Sequence, residues 1–343
     1  MDALLVEVTR GDRVESRHAG AAVVADTGGM VLFRAGDVDA PIYARSTVKA
    51  MLAVPLVESG AADRLGLTPP ELALACASHS GLPIHADTAA AMLARAGRDE
   101  GCLECGAHWP TSPSAAQALA GAGRQPSALH NSCSGKHAGF VCLACDAGHP
   151  VGGYVEPEHP VMRQVTQAMS DLTDCRLDEE NRGIDGCGIP TYALPLRALA
   201  TGFARFGCGT GLSADRAEAV RRLREAVAAH PEMVAGEGCF DTRMIEAFGP
   251  ALFSKMGAEG VQVAALPELG LGIAVKSADG SARAAEVAMA ALLARYLPAD
   301  DERHPVLDRA MRPVLRNWLG REIGGLRPAG ALLPRRTGDA ARV

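Results

Sequence analysis

Strand-like runs stand at both ends of this 343-residue chain, with a long helical stretch between them. Residues 4–8, 22–25 and 31–33 alternate and turn as strands do, and Asp26-Thr27-Gly28-Gly29 between the last two is a hairpin signal. β character returns at 261–266 and 271–277 around the turn Pro267-Glu268-Leu269-Gly270, and a helix follows over 284–297. From about 46 to 230 the pattern is mostly helical. Thr68-Pro69-Pro70-Glu71 combines an N-cap, a proline at the first helical position and a glutamate three past the cap. Ser112-Pro113 opens another helix, and 214–229 is amphipathic with arginines on its polar side. Strands from two distant parts of a chain can be buried together in one sheet. The prediction is therefore an α/β (α+β) fold whose sheet is assembled from both termini around a helical region. No internal repeat or Ser/Gly linker divides it, so residues 1–328 read as a single domain, with 329–343 as a loose tail.

Composition narrows the function. The net charge is −6 with no long basic run, which argues against a nucleic-acid partner. No apolar stretch nears the roughly 18 residues of a membrane span, so no membrane role is expected. The first residues are charged and alternating, without the apolar block of a secretion signal. Ten cysteines in that setting read as reduced thiols, core fillers or metal ligands, which points to the cytoplasm.

The sharpest local signal is Arg45-Ser46-Thr47-Val48-Lys49 at the head of a helical run. An S-x-x-K spacing puts hydroxyl and amine on one helix face, one turn apart. Burial lowers a lysine's pKa, and a neutral amine can accept the serine proton. Two further elements follow in order: Cys76-Ala77-Ser78-His79-Ser80-Gly81, and Ser254-Lys255-Met256-Gly257 just before the 261–266 strand. Penicillin-recognising serine enzymes use the same order of elements, although they carry K-T-G where this chain has Lys255-Met256-Gly257.

A third constellation is Asn131-Ser132-Cys133-Ser134-Gly135-Lys136-His137, with Ile184-Asp185-Gly186-Cys187-Gly188 some fifty residues on. Glycines around a cysteine mark tight backbone beside a polar site. Two such cysteines suit Zn²⁺, and ligand type alone favours His137 as the third ligand. The same residues also fit a nucleophilic Cys133 activated by His137, or two structural thiols. Cys102/Cys105 and Cys142/Cys145 have zinc-like internal spacing, but 36 residues separate the pairs. Cys142 and Cys145 read as core, and no metal is placed at Cys102/Cys105.

The stretches YARSTVKAM, ALACASHSG, HNSCSGKHAGF, RGIDGCGIPTYALPL and FSKMGAEG, in that order, resemble the class 3 (rhizobial-type) L-asparaginases over about residues 3–328. The resemblance implies a serine β-lactamase/glutaminase-like fold with a mainly antiparallel sheet. It implies a homodimer that hydrolyses L-asparagine to L-aspartate and ammonia. Ser46 matches the family's nucleophile and Lys49 its partner, while Ser78 and Lys255 match a second Ser-Lys pair. Cys133, Lys136 and Cys187 match a zinc site, so the resemblance overrules His137 in favour of Lys136. Asp185 resembles a carboxylate that orients Lys136 or a zinc-bound water. Arg45 and His137 are taken as further substrate-side residues. Cys239 departs from the family pattern, which has a basic residue there.

The motifs imply acyl-enzyme hydrolysis, with Lys49 taking the Ser46 proton and the zinc positioning the substrate rather than making the nucleophile. Two other classes share parts of the pattern. One is an acyl-serine amidase of the β-lactamase, peptidase or glutaminase type. The other is a non-catalytic, zinc-dependent amino-acid-binding protein.

Overall fold

The fold is organised about one long strand. In the computed structural model, which describes residues 1–298 and 301–333, β1 (Ala3–Arg10) and β2 (Arg13–Asp26) form an antiparallel hairpin, followed by β3 (Val31–Ala35). The first half of β2 is wet, whereas Gly20 to Ala25 are buried on both faces. That buried half pairs on one edge with β3 and on the other with β9 (Leu271–Ser277), in the register Gly20↔Ser277 to Asp26↔Leu271. Beyond β9 come β8 (Val261–Leu266) and then β7 (Phe253–Gly257) as the outer strand. On the far side of β1 lie β11 (Glu322–Pro328) and β10 (Val314–Arg316). Every pairing is antiparallel, so the sheet is built from both ends of the chain.

Both faces of the central strands are covered, so their sequences are continuous apolar runs. Ala21, Val23, Ala25, Val263 and Ala274 face the helical region. Ala22, Val24, Ala264, Ile273 and Val275 face the helix Ala282–Tyr296. The helix Leu196–Cys208 crosses the first face where Gly272 allows it to approach: a Cβ there would sit 1.9 Å from the Ala200 carbonyl oxygen.

Within the helical region a second sheet forms, which the sequence pattern did not reveal. β4 (Pro41–Tyr43) and β5 (Arg182–Ile184) flank β6 (Pro190–Pro195), both antiparallel to it. These strands are short and rich in Gly and Pro, which hides them from a periodicity reading. Their effect is positional. β4 and β5 run the same way, so the segments that leave them, Arg45-Ser46 and Asp185-Cys187, emerge side by side. Packing also continues past residue 328: the Ala329 N–H donates to the Leu5 carbonyl at 2.8 Å and Leu332 is buried. Residues 334–343 of the expected tail lie outside the described residues.

Gly272→Ala should destabilise the protein by about 1–3 kcal/mol, because the helix must withdraw from β9 to make room. Thermal unfolding checks this; an unchanged melting temperature would show that the contact is not limiting.

Candidate active site

Ser46 lies in a single 3₁₀ turn, Arg45–Val48, that runs directly into the helix Lys49–Leu52. Arg45 is one of three non-glycine residues with positive φ among the described residues, at 52°, a conformation costing about 1–3 kcal/mol. The surroundings hold it there. Its guanidinium donates to Asp185 Oδ1 at 3.2 and 2.9 Å, and the Thr47 hydroxyl donates to the Ala44 carbonyl at 2.6 Å. Gly257 lets β7 lie against this turn, since a Cβ there would stand 2.9 Å from the Thr47 methyl.

Lys49 is 2% exposed. Its Nζ donates to the Ala77 carbonyl at 2.7 Å and to the Ser132 carbonyl at 3.1 Å. Burial pulls its pKa below the ordinary lysine value; the Lys136 charge lowers it too, while Cys133 acts the other way. A neutral amine has two N–H groups and one lone pair. Here two carbonyls and the Cys133 sulfur surround Nζ, which gives both N–H groups of a neutral amine a partner.

Ser78 follows the helix Pro69–Ala75, and its N–H donates to the Val234 carbonyl at 2.9 Å. Its hydroxyl is buried with no partner among the described residues, an uncompensated polar group of the kind found at functional sites. The adjacent His79 holds the turn. The Gly81 N–H donates to its Nδ1 at 3.2 Å, so Nε2 carries the proton and donates to the Ser134 hydroxyl at 2.9 Å. Lys255 lies on β7 itself rather than in a loop before a strand, and is fully buried. Burial draws its pKa down to about 7; Asp241 opposes the shift and the charge on Lys49 adds to it.

Cys133 caps the helix Ser134–Asp146, Lys136 occupies its first turn, and Cys187 arrives from the segment after β5. Lys136 Nζ donates to Cys187 Sγ at 2.9 Å. A hydrogen bond from Cys187, together with Lys136 and Lys49, holds the Cys133 thiol well below its usual range. That same bond, with burial, pushes the Cys187 thiol up. Burial pulls Lys136 down, but the two sulfurs outweigh it and the amine is raised. The two thiols are thus pushed in opposite directions beside an amine that keeps its proton more firmly than an ordinary lysine. No group of three His, Cys, Asp or Glu side chains suited to a metal occurs among the described residues. Two sulfurs and an amine do come together here.

His137 stands apart from that cluster. The Glu104 N–H donates to the Tyr154 hydroxyl at 2.7 Å, so that hydroxyl donates to His137 Nδ1 at 2.8 Å and the ring proton sits on Nε2. That Nε2–H is buried without a partner, and burial pushes the ring's pKa far down, so the imidazole is neutral. Asp185 bonds Arg45 and the Gly186 N–H at 2.7 Å, and acts on Lys136 through its charge. A small cavity is lined by Arg45, Ser46, Lys49, Lys136 and Asp185, with Met162 and Met169 on its apolar wall. Ser78, Lys255, Cys133 and Cys187 do not line it. Cys142 is fully buried in the core, as its sequence setting indicates, and all ten cysteines are free. One residue that sequence reasoning passed over is Asp241, 1% exposed beneath β7; its only signal is a carboxylate between Phe240 and Thr242 in an apolar helix.

The low pKa of Lys255 has a stability consequence. Between about pH 7 and its ordinary value of 10.5, the unfolded chain binds a proton that the folded state does not, so its burial costs least above that window and most below it. Lys255→Met should raise the melting temperature, and the gain should be larger at pH 6 than at pH 9. Equal gains at both would mean that Lys255 is not held neutral.

Comparisons place this geometry among known proteins. The model of the L-asparaginase II family matches residues 6–328. No match was found among characterised protein sequences. A crystal structure of a beta-lactamase from Mycobacterium bovis is similar over 81% of this chain and 94% of that chain, at 16% identity and a TM-score of 0.40. With five motifs in order and the family model spanning nearly its whole length, the chain belongs to the L-asparaginase II family.

Proposed function

We propose that the chain is an L-asparagine amidohydrolase that works through an acyl-serine at Ser46. The observation that carries this reading is Lys49: a buried amine that donates to two carbonyls, three residues after a serine on the wall of the same cavity. Lys49 Nζ accepts the Ser46 hydroxyl proton, and the oxygen attacks the side-chain amide carbon. The backbone N–H of Ser46 is one donor to the oxyanion. The C–N bond breaks, Lys49 returns the proton, and ammonia leaves. Water then adds to the ester; Lys255, through Ser78, takes one of its protons, and that proton is passed to the Ser46 oxygen as aspartate departs.

Cys133, Lys136 and Cys187 fit a zinc ion by the chemistry of the donor set: a ready thiolate, a second thiol and an amine that loses its proton on binding. Bound there, zinc supplies positive charge that attracts the α-carboxylate of the substrate. Arg45, fixed by Asp185, lines the same cavity and adds a second cation for that group. The His137 Nε2–H is a free donor on the same helix. The active form is taken as a homodimer in the cytoplasm, a setting suited to ten free thiols.

Ser46→Ala should lower ammonia release from L-asparagine by about 10³-fold or more while leaving the far-ultraviolet circular dichroism unchanged. Near-normal release would remove Ser46 from the mechanism. Cys133→Ser should raise KM for asparagine more than it lowers kcat, because the cluster acts on binding. A fall in kcat at constant KM would place it in the chemical step. A chromogenic β-lactam turned over faster than asparagine would favour the acyl-serine alternative.

A further inference from the structure

The outer strand β7 carries Lys255, yet nothing in the sheet pairs with its outer edge. Side chains alternate along it. Lys255 stands opposite Val263 on the face toward the helical region, while Ser254 and Met256 belong to the opposite face with Gln262. There the strand meets Asp241, in the first turn of the helix Phe240–Phe248. Its carboxylate accepts from the Ser254 hydroxyl at 2.7 Å and from Gln262 Nε2 at 2.6 Å on one oxygen, and from the Met256 N–H at 2.7 Å on the other. Gln262 Nε2 also reaches Ser254 Oγ at 3.1 Å. A buried charge is tolerated only when hydrogen bonds replace its water, and these three donors do so. Two of them come from the residues on either side of Lys255.

We infer that Asp241 is a positioning residue for the reaction: it takes the place of a neighbouring strand on β7, fixes the backbone around Lys255, and keeps a negative charge behind that amine. This rests on the reading of Lys255 as part of amide hydrolysis. Buried edge N–H groups need a partner, and a carboxylate supplies one without adding a strand across the approach to the site. The charge matters as well, since without it burial would draw Lys255 further down. The other groups facing Lys255 are Lys49, Cys133 and Cys76. Those facing Asp241 from its far side are Cys239 and Glu286, and Arg243 lies near both. Glu286, on the helix Ala282–Tyr296, is raised to about 7 by burial and by Asp241, and so titrates in the same range as Lys255.

Three variants separate these effects. Asp241→Asn keeps the shape and removes the charge; Ser254→Ala removes one hydrogen bond and keeps the charge; Glu286→Gln removes the neighbouring titration. The acidic limb of the kcat profile should move down by about one pH unit in Asp241→Asn, because a lysine that loses a neighbouring anion deprotonates sooner. It should stay in place in the other two, while kcat in Ser254→Ala falls about tenfold at constant KM as β7 loosens. Exchange of the Met256 amide, measured without substrate, should rise about tenfold in Asp241→Asn, since a neutral carbonyl accepts more weakly than a carboxylate. An unmoved limb in Asp241→Asn, or the same movement in Glu286→Gln, would overturn the proposal. If Asp241→Asn does not fold, Ser254→Ala decides: unchanged kcat refutes the anchor. If the wild-type protein releases no ammonia, the hydrolase reading fails, and the Met256 exchange still tests the anchor by itself.

Discussion

Everything in this molecule hangs on the pairing of β2 with β9, which joins Gly20 to Ser277 across most of the chain. Closing so long a loop costs entropy that grows only slowly with length, so the register is set by what the two strands bury rather than by their separation. Both present apolar side chains on both faces. A slip by one residue would exchange the side chains meant for the helical region with those meant for the helix Ala282–Tyr296. Once β9 is in register, β8 and β7 follow by tight turns. β7 then meets the turn Arg45–Val48 at Gly257, so closure of the sheet brings the strand that carries Lys255 against the turn that carries Ser46.

The second constraint is the burial of three lysine amines, Lys49, Lys136 and Lys255, all at most 2% exposed. Taking a charge out of water costs several kcal/mol, and a group relieves that either by losing its charge or by finding a partner. The three take different routes. Lys136 keeps its charge against two sulfurs. Lys49 and Lys255 are drawn down foremost by burial, with the charge of Lys136 adding to it at Lys49 and that of Lys49 at Lys255. The same residue type thus goes either way, according to whether the neighbouring sulfurs outweigh burial, as at Lys136, or do not, as at Lys49.

Much of this was legible in the sequence. The strand-like runs at the two ends gave away the shared sheet, and Cys133, two residues before Gly135, with Cys187 between Gly186 and Gly188 marked the sulfur cluster. Spacing alone favoured His137 as the third member. The structure turns that ring toward Tyr154 and turns Lys136 toward Cys187, a choice made by Tyr154, seventeen residues away, that no local pattern records. The small sheet β4-β6-β5 was hidden by its Gly and Pro content, and β11 by Gly324, Gly325 and Pro328, which break its alternation. Lys255 was seen as chemistry but not as part of a strand, since a five-residue run with Ser and Lys at its centre lacks apolar periodicity. Asp241 left almost no trace, because its meaning comes from three donors brought to it by tertiary structure.

Ser46 and the sulfur cluster are not independent. The Ser132 carbonyl that accepts from Lys49 belongs to the peptide unit leading into Cys133. Arg45, immediately before Ser46, is tied to Asp185, two residues before Cys187. Each sulfur is therefore connected to Ser46 by a short route, one through a backbone carbonyl and one through an ion pair. A displacement of either sulfur has to be absorbed by the Lys49 contacts or by the strained Arg45 backbone. Such coupling ties the two cysteines to the Ser46 turn. Their placement holds the Ser46 turn in a conformation that its own residues would not choose.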